Sequence, residues 1–369
     1  MARVAYVDHS FHRTTRSTAF LPEILARHGH QVDLLWDDAW RGGAAVAWSE
    51  VQAHDVVIMF QSYCPPPDAY FRRVHPNVIY IPMLDQFGLS QGPLFNLSSF
   101  WEPFQGCKVL NFSNATHCMT TAFGIASHLI RYYQPVQETA APPQQGLHGF
   151  FWLRREQQLP WETIRALVSG TAFDSFHIHL ATDPGTAPPQ SPSAGDVARH
   201  HITTSTWFED KADLNAVMAR ANVYFAPRLE EGIGQSFLEA MGRGQCVVAP
   251  DFGTMNEYIV PGVNGLLYDP RNPGPLDFSD AVALGAQARR GTVEGRARWE
   301  AAEADLVRFI LTPSEALYAG KYQHPPLAPA PDGGGKGGVR AMAQQFAIFR
   351  ATRFLWHPLL RLARKVRGN

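Results

Sequence analysis

The sequence predicts an α/β protein of two Rossmann-like domains whose parallel sheets face each other across a cleft. Three observations lead there. Short apolar runs alternate with helix-like stretches over residues 1–135, and the same rhythm restarts near Leu147. Between the two series lies Gln134–Gly146, QPVQETAAPPQQG, with the Pro and Gln content of an interdomain linker. Strands separated by helices imply βαβ units, and open α/β sheets bind ligands at the carboxyl ends of their strands. The expected domains are 1–135 and 147–322, followed by a basic amphipathic helical tail over 339–369.

In the first series Val4–Asp8 reads as a strand and Thr18–His28 as an amphipathic helix. Gln31–Trp36, Val56–Gln61, Val78–Asp85, Lys108–Ser113 and His128–Tyr133 follow as strand candidates. In the second series the strands are Leu147–Leu153, Phe176–Thr182, Ile202–Phe208, Val223–Pro227 and Cys246–Ala249. Helices over Trp161–Ser169, Asp210–Ala221 and Gln235–Gly244 separate them, and Asp183–Gly195 reads as a surface loop. His177 and His179 read as the two faces of one strand.

Composition limits the function classes. The 369 residues are 45% hydrophobic and 18% charged, enough for buried cores and too few charges for a disordered chain. No run of about 18 apolar residues occurs, and the N-terminus lacks the apolar core of a signal peptide, so a cytoplasmic protein is expected. The four cysteines (Cys64, Cys107, Cys118, Cys246) form no CxxC pair and read as free thiols. The 15 histidines include no HExxH and no cluster at ligand spacing, so no metal site is expected. There is no D-x-D either; Asp37 and Asp38 are adjacent.

Chemistry concentrates between Val223 and Pro270. A buried strand ends in a short acidic loop, and Gly232-Ile233-Gly234 opens a helix. Glycines let backbone approach a ligand closely, and unpaired amides at a helix start favour an anion such as phosphate. Glu231 ends the loop and Glu239 lies eight positions later, within the helix. Carboxylates at the mouth and flank of one helix accept paired hydroxyls, which suits a sugar or a ribose. Taken singly, each has a bland alternative: a first-turn acid beside the macrodipole, and a solvated helix residue. The Gly-Ile-Gly does not continue as a dinucleotide fingerprint, because Phe237 occupies the third glycine position.

Taken whole, the stretch resembles the donor-binding signature of retaining GT-B glycosyltransferases, family 4 in particular. The resemblance rests on Pro227, Glu231-Gly232-Ile233-Gly234, Leu238-Glu239-Ala240-Met241, Cys246-Val247-Val248-Ala249, Asn256-Glu257 and Gly262-Val263-Asn264-Gly265-Leu266-Leu267, in order. It implies a GT-B fold and transfer of a sugar from a nucleoside diphosphate (UDP or GDP) to a glycan or lipid-linked acceptor. Configuration would be retained, without a metal or bound cofactor. By the same resemblance Glu231 would contact the donor sugar, Glu239 the ribose, and the amides of Gly232, Ile233 and Gly234 the diphosphate. Arg154 and Arg155, after the first strand of the second domain, take the place of the family's phosphate-binding basic pair. Ser236, at the helix mouth, is a further candidate for phosphate contact. Trp207-Phe208 reads either as packing near the base or as core. A GT-B epimerase or phosphorylase and a non-catalytic nucleotide- or glycan-binding module are the alternatives.

On the first-domain side, members of the family usually carry a Gly-Gly loop. Here His9-Ser10-Phe11-His12-Arg13-Thr14-Thr15-Arg16-Ser17-Thr18 replaces it, and Arg16 and Ser17 are the candidate acceptor-side residues. For the first-domain catalytic residue, His117 after the Phe112-Ser113 strand end and Asp85 after Ile81–Leu84 are the candidates.

The near-zero net charge of −1 hides an asymmetry. Gly333–Asn369 carries eight Lys or Arg and no acid, leaving −9 on residues 1–332. A basic amphipathic tail with Phe354 and Trp356 suits docking on a membrane surface. Packing of that helix on the acidic first domain is the competing reading. Nucleic acid is not expected as a partner, since the body is acidic.

Overall fold

The computed structural model describes residues 1–39, 43–61, 75–87, 101, 104–136, 142–182 and 189–318. The first domain holds β1 (Arg3–His9), α1 (Phe11–Thr15), α2 (Phe20–Arg27), β2 (Gln31–Asp37), α3 (Trp48–Val51), β3 (Val56–Phe60), β4 (Val78–Ile81), α4 (Leu84–Phe87), β5 (Lys108–Asn111), α5 (Asn114–Ala122) and β6 (Ala126–Leu129). The second holds β7 (His148–Trp152), α6 (Trp161–Leu167), β8 (Ser175–His179), α7 (Ala194–His200), β9 (Ile202–Ser205), α8 (Lys211–Met218), β10 (Val223–Phe225), α9 (Gln235–Arg243), β11 (Cys246–Pro250), a 3-10 turn (Met255–Glu257) and β12 (Gly265–Tyr268). Two further helices, α10 (Ala281–Leu311) and α11 (Ser314–Tyr318), close the described chain.

Each domain carries one six-stranded sheet, ordered β2-β1-β3-β4-β5-β6 and β12-β11-β10-β7-β8-β9. Every pairing is parallel. In both sheets the order reverses beside the first strand, and that reversal opens a crevice at the strands' carboxyl ends. The central strands are buried throughout, as Val56–Phe60 and Cys246–Pro250 show, because helices cover both faces.

One apolar core runs from Val4, Ile58, Met83 and Tyr132 of the first domain to Tyr224, Ile233, Phe237 and Met255 of the second. The outer faces have cores of their own, around Phe151, Phe173 and Phe225 in the second domain and Val57, Tyr80 and Trp101 in the first. The floor of the cleft is therefore shared hydrophobic packing.

Helix α10 ties the domains together. It begins against α9 and β11 and ends on the first domain, where Arg27 meets Glu303 at 2.7 Å and Phe20, Tyr132 and Trp299 pack together. At its last turn the Lys108 ammonium, buried in β5, donates to the carbonyls of Phe309 (2.8 Å), Ile310 (2.6 Å) and Thr312 (2.6 Å). A cation at a helix C-terminus satisfies carbonyls that have no partner within the helix. Burial pushes the Lys108 pKa down to about 7, while these three acceptors favour its charged form. Tyr318 of α11 donates to the Cys107 carbonyl and accepts from the Ala126 amide. The crossing back onto the first domain is thus made by residues 281–318, inside the stretch assigned to the second domain.

Several expectations are adjusted. Strand β12 and helix α10 are additions. The buried stripe of α10 runs through Ala281, Leu284, Ala288, Thr292, Gly295, Trp299, Leu306 and Ile310. Several of these are small or polar, so hydrophobic periodicity does not show the stripe. The loop over 183–195 gives way to α7 at Ala194, capped by Ser193. His177 and His179 share one face of β8, since both rings reach the Ser205 hydroxyl at 2.8 Å; side chains two apart on a strand point the same way. Cys107, Cys118 and Cys246 are free thiols, and burial pushes Cys246 up to about 12. Among the described residues no helix is long and apolar enough to cross a membrane. Cys64, the stretch His324–Gly338 and the tail over 339–369 lie outside the described residues.

Candidate functional site

The site begins where β10 ends. Val223–Phe225 is fully buried, and the chain leaves the sheet through Ala226 and Pro227 into the loop before α9. Gly234 caps α9 at φ +76°, and a Cβ there would lie 2.0 Å from the Phe237 ring. Only glycine fits both the left-handed backbone and that contact. No side chain caps α9, so its first amides face the loop in the position that favours an anion. Gly232 faces the other domain: a Cβ there would stand 2.8 Å from Met83 Sδ and 3.0 Å from Asp85 Oδ1. The expected glycines therefore do two jobs, turning into the helix and letting the first domain approach. Thr254 anchors the loop by donating to the carbonyls of Glu231 (2.6 Å) and Gly232 (3.1 Å). Ile233 is buried in the shared core.

Two of the expected catalytic carboxylates meet here, through a residue that sequence reasoning missed. Arg228 Nη1 lies 3.1 Å from Glu231 Oε2, and its Nη2 lies 3.1 Å from Asp85 Oδ2 across the domain boundary. All three side chains are at most 14% exposed. Asp85 sits in α4 rather than at the end of β4. Its Oδ1 is buried and accepts no hydrogen bond in the structure. Burial pushes the Glu231 carboxyl above its ordinary range; Arg228 opposes this most strongly, Asp85 adds to it, and Arg154 and Arg155 oppose it. Both arginines after β7 thus project their charge onto the same carboxylate. The Arg154 guanidinium lies over the Trp152 ring, 5.4 Å from its centroid, which holds it at the strand end. Nothing in the sequence singles out Arg228, because its importance comes from Asp85, 143 positions earlier in the chain.

Ser236 stands in the first turn of α9, beside Tyr224. Glu239 is one turn further on, 30% exposed, and 3.4 Å from Arg243 Nη2, which also donates to Asn215. At the carboxyl ends of β7, β8 and β9, Trp152, His179, Trp207 and Phe208 form an aromatic cluster. Phe208 stacks on His179, while Trp207 meets Trp152 and His179 edge-on and leaves 58% of its surface exposed.

The first-domain candidates divide. The Ser17 carbonyl accepts a 2.7 Å hydrogen bond from Gln235 Nε2, bringing the loop after β1 to the start of α9. Arg16 instead points to solvent, 3.6 Å from Glu23. His117 makes no hydrogen bond or ion pair with Asp85 or Glu231. Its Nδ1 lies 2.7 Å from the Ser127 hydroxyl on edge strand β6, and burial lowers its pKa. The helix it belongs to does reach the second domain, but through its N-terminus: Glu257 accepts from Ser113 Oγ at 2.7 Å and the Asn114 amide at 2.8 Å. A carboxylate at a helix start is stabilised there, so this contact is a clamp between domains. The histidines beside the cleft are His9 and His12. Burial, and next His12, lower the His9 pKa, while Asp8, Gln61 and Asp85 oppose the shift. His12 Nδ1 lies 2.8 Å from buried Asp8 Oδ1. These three are a set of potential metal ligands that sequence spacing did not reveal.

Residues 155–284 match the model of the family described as Glycosyl transferases group 1. Comparison with curated proteins finds no match. Among solved structures the chain is similar to sucrose-phosphate synthase from Thermosynechococcus elongatus, with 13% identity and a TM-score of 0.60 over 86% of this chain and 100% of that one. A glycosyltransferase from Rickettsia africae gives 11% identity and a TM-score of 0.60, over 87% and 99% of the two chains. Anabaena HepE, in complex with UDP and glucose, gives 14% and 0.55, over 84% and 100%. With two six-stranded parallel sheets in each other's company, these likenesses establish the GT-B fold.

Proposed function

We propose that this chain is a glycosyltransferase that moves a sugar from a nucleoside diphosphate to a hydroxyl of a glycan or lipid-linked acceptor. The observation that carries the reading is the convergence of Glu231, Asp85, Arg154 and Arg155 on one cleft, beside the uncapped start of α9. Cations and helix amides suit a diphosphate; buried carboxylates suit sugar hydroxyls. The family match over 155–284 covers the segment that supplies most of these groups.

In this reading the α9 amides, Ser236, Arg154 and Arg155 hold the diphosphate and stabilise the charge that develops as it leaves. No metal is needed on the phosphates. Glu239 takes the ribose hydroxyls, and exposed Trp207 is a platform for the base, UDP being the first nucleotide to try. Glu231, fixed by Arg228, accepts hydroxyls of the donor sugar, and the unpartnered Asp85 Oδ1 accepts another. The bond from the anomeric carbon to the diphosphate breaks, and the acceptor oxygen bonds that carbon on the same face. Its proton passes to a diphosphate oxygen, so configuration is retained. His117, held on β6, takes no part. The basic tail would seat the enzyme on a membrane surface carrying the acceptor, in envelope polysaccharide or glycolipid synthesis.

The test is incubation with a panel of UDP- and GDP-sugars, following release of the nucleoside diphosphate. The expected result is release with one preferred sugar, falling about tenfold in Glu239→Ala. Release that ignores Glu239 would sink the reading.

A further inference from the structure

We propose that Asp8, His9 and His12 form a binding site for one divalent transition-metal ion of the zinc type, on the first-domain wall of the cleft. One ligand atom from each of the three lies within 4.8 Å of the other two, and they are the one such group among the described residues. A carboxylate oxygen and two imidazole nitrogens are a donor set of zinc-type ions rather than of magnesium or calcium, which prefer oxygen alone.

The fold builds this set deliberately. Asp8 and His9 end β1, and the one-turn helix α1 returns His12 beside them, with the ring centroids of His9 and His12 only 3.8 Å apart. Asp8 is 1% exposed, and its second oxygen accepts from the Thr18 hydroxyl at 2.7 Å, which fixes the direction of the first. Gln61 Oε1 lies 3.4 Å from His9 Nε2 and orients that ring. Outer contacts of this kind aim metal ligands and fix imidazole tautomers. The ring of His12 is further held by an edge contact with Phe60, at 5.7 Å.

Three protein ligands rather than four leave a coordination position open, as in sites that bind a substrate oxygen and unlike closed structural sites. The ion would be held by the Asp8 carboxylate and neutral imidazoles, the His12 ring proton moving to its other nitrogen, and would offer the cleft a Lewis-acidic position for an acceptor oxygen. This site is separate from the diphosphate groups of the second domain, and it stands whether or not the donor assignment does.

Titration calorimetry of Zn²⁺ into the full-length chain, freed of metal beforehand, tests it directly. The expected result is one saturable equivalent whose affinity falls about tenfold or more in His9→Ala and in His12→Ala, and stays unchanged in His201→Ala, an exposed control. Visible absorption of bound Co²⁺ should appear in the wild type and vanish in the same two variants. His9 is only partly buried whereas Asp8 is 1% exposed, so His9→Ala and His12→Ala keep the test open even where Asp8→Asn does not fold. Absence of saturable binding, or binding indifferent to His9 and His12, would overturn the proposal and leave Asp8 and His12 as a pair that only shapes the turn after β1.

Discussion

The two walls of the cleft are built on the same topology and recruit their residues in opposite ways. On the second-domain wall, Glu231, Gly232, Gly234, Ser236 and Glu239 come from one loop and the helix after it, with Arg154 and Arg155 from the neighbouring strand end. On the first-domain wall, Asp8 and His9 end β1 and His12 follows it, Gln61 follows β3, and Asp85 follows β4. The second wall presents backbone amides and charges set by local chain geometry. The first presents side chains that meet only after the sheet has formed. A diphosphate offers the same chemistry whatever sugar it carries, and a local motif suffices to hold it. Arg228 joins the walls by holding one carboxylate from each.

The sharpest way to break this comparison is to remove the joint. Arg228→Ala leaves Asp85 and Glu231 as buried carboxylates on facing walls without the cation they share. Turnover should fall by about 10²-fold or more, and chemical denaturation should show a loss of about 3 kcal/mol. An active, equally stable variant would mean the walls act independently. A second joint lies at the far end of α10. Lys108→Met deletes three hydrogen bonds to the helix terminus and should destabilise the chain by about 2 kcal/mol, with nucleotide binding unchanged; a loss of binding at constant stability would contradict the purely structural role.

The smallest effect is in pH. Burial raises the Glu231 pKa above its ordinary 4.5, so the folded chain holds this proton more tightly than the unfolded one. The linked stability is fully present below 4.5 and is lost as pH rises through the raised value. Glu231→Gln should flatten that limb of the stability profile. The same acidic limb in wild type and variant would assign the titration to another group.

These contrasts also explain what was legible. Both sheets could be read from runs such as Val56–Phe60 and Cys246–Pro250, because buried parallel strands are continuously apolar. The segment from Val223 to Pro270 could be singled out because its glycines, its acids and their spacing lie within fifty residues of chain. Arg228 could not: an arginine beside a proline becomes an interdomain tie only through Asp85. His117 stands out by its position after a strand end, and its bond to Ser127 on the neighbouring strand, made only once the sheet forms, was not legible. His9 and His12 lay within the loop that departs from the family's Gly-Gly pattern. Their approach needs the turn of α1, which five residues, four of them polar, do not announce. Helix α10 escaped because Ala, Gly and Thr interrupt its buried stripe.

The central claim is that the second wall holds a nucleoside diphosphate by its arginines and helix amides. Calorimetric titration of UDP and GDP into the wild type and the Arg154→Ala/Arg155→Ala double variant tests it most directly. The account predicts one equivalent of one nucleotide bound by the wild type, and an affinity at least about a hundredfold weaker in the variant. Equal affinity in the two proteins, or no binding of either nucleotide by the wild type, would contradict it.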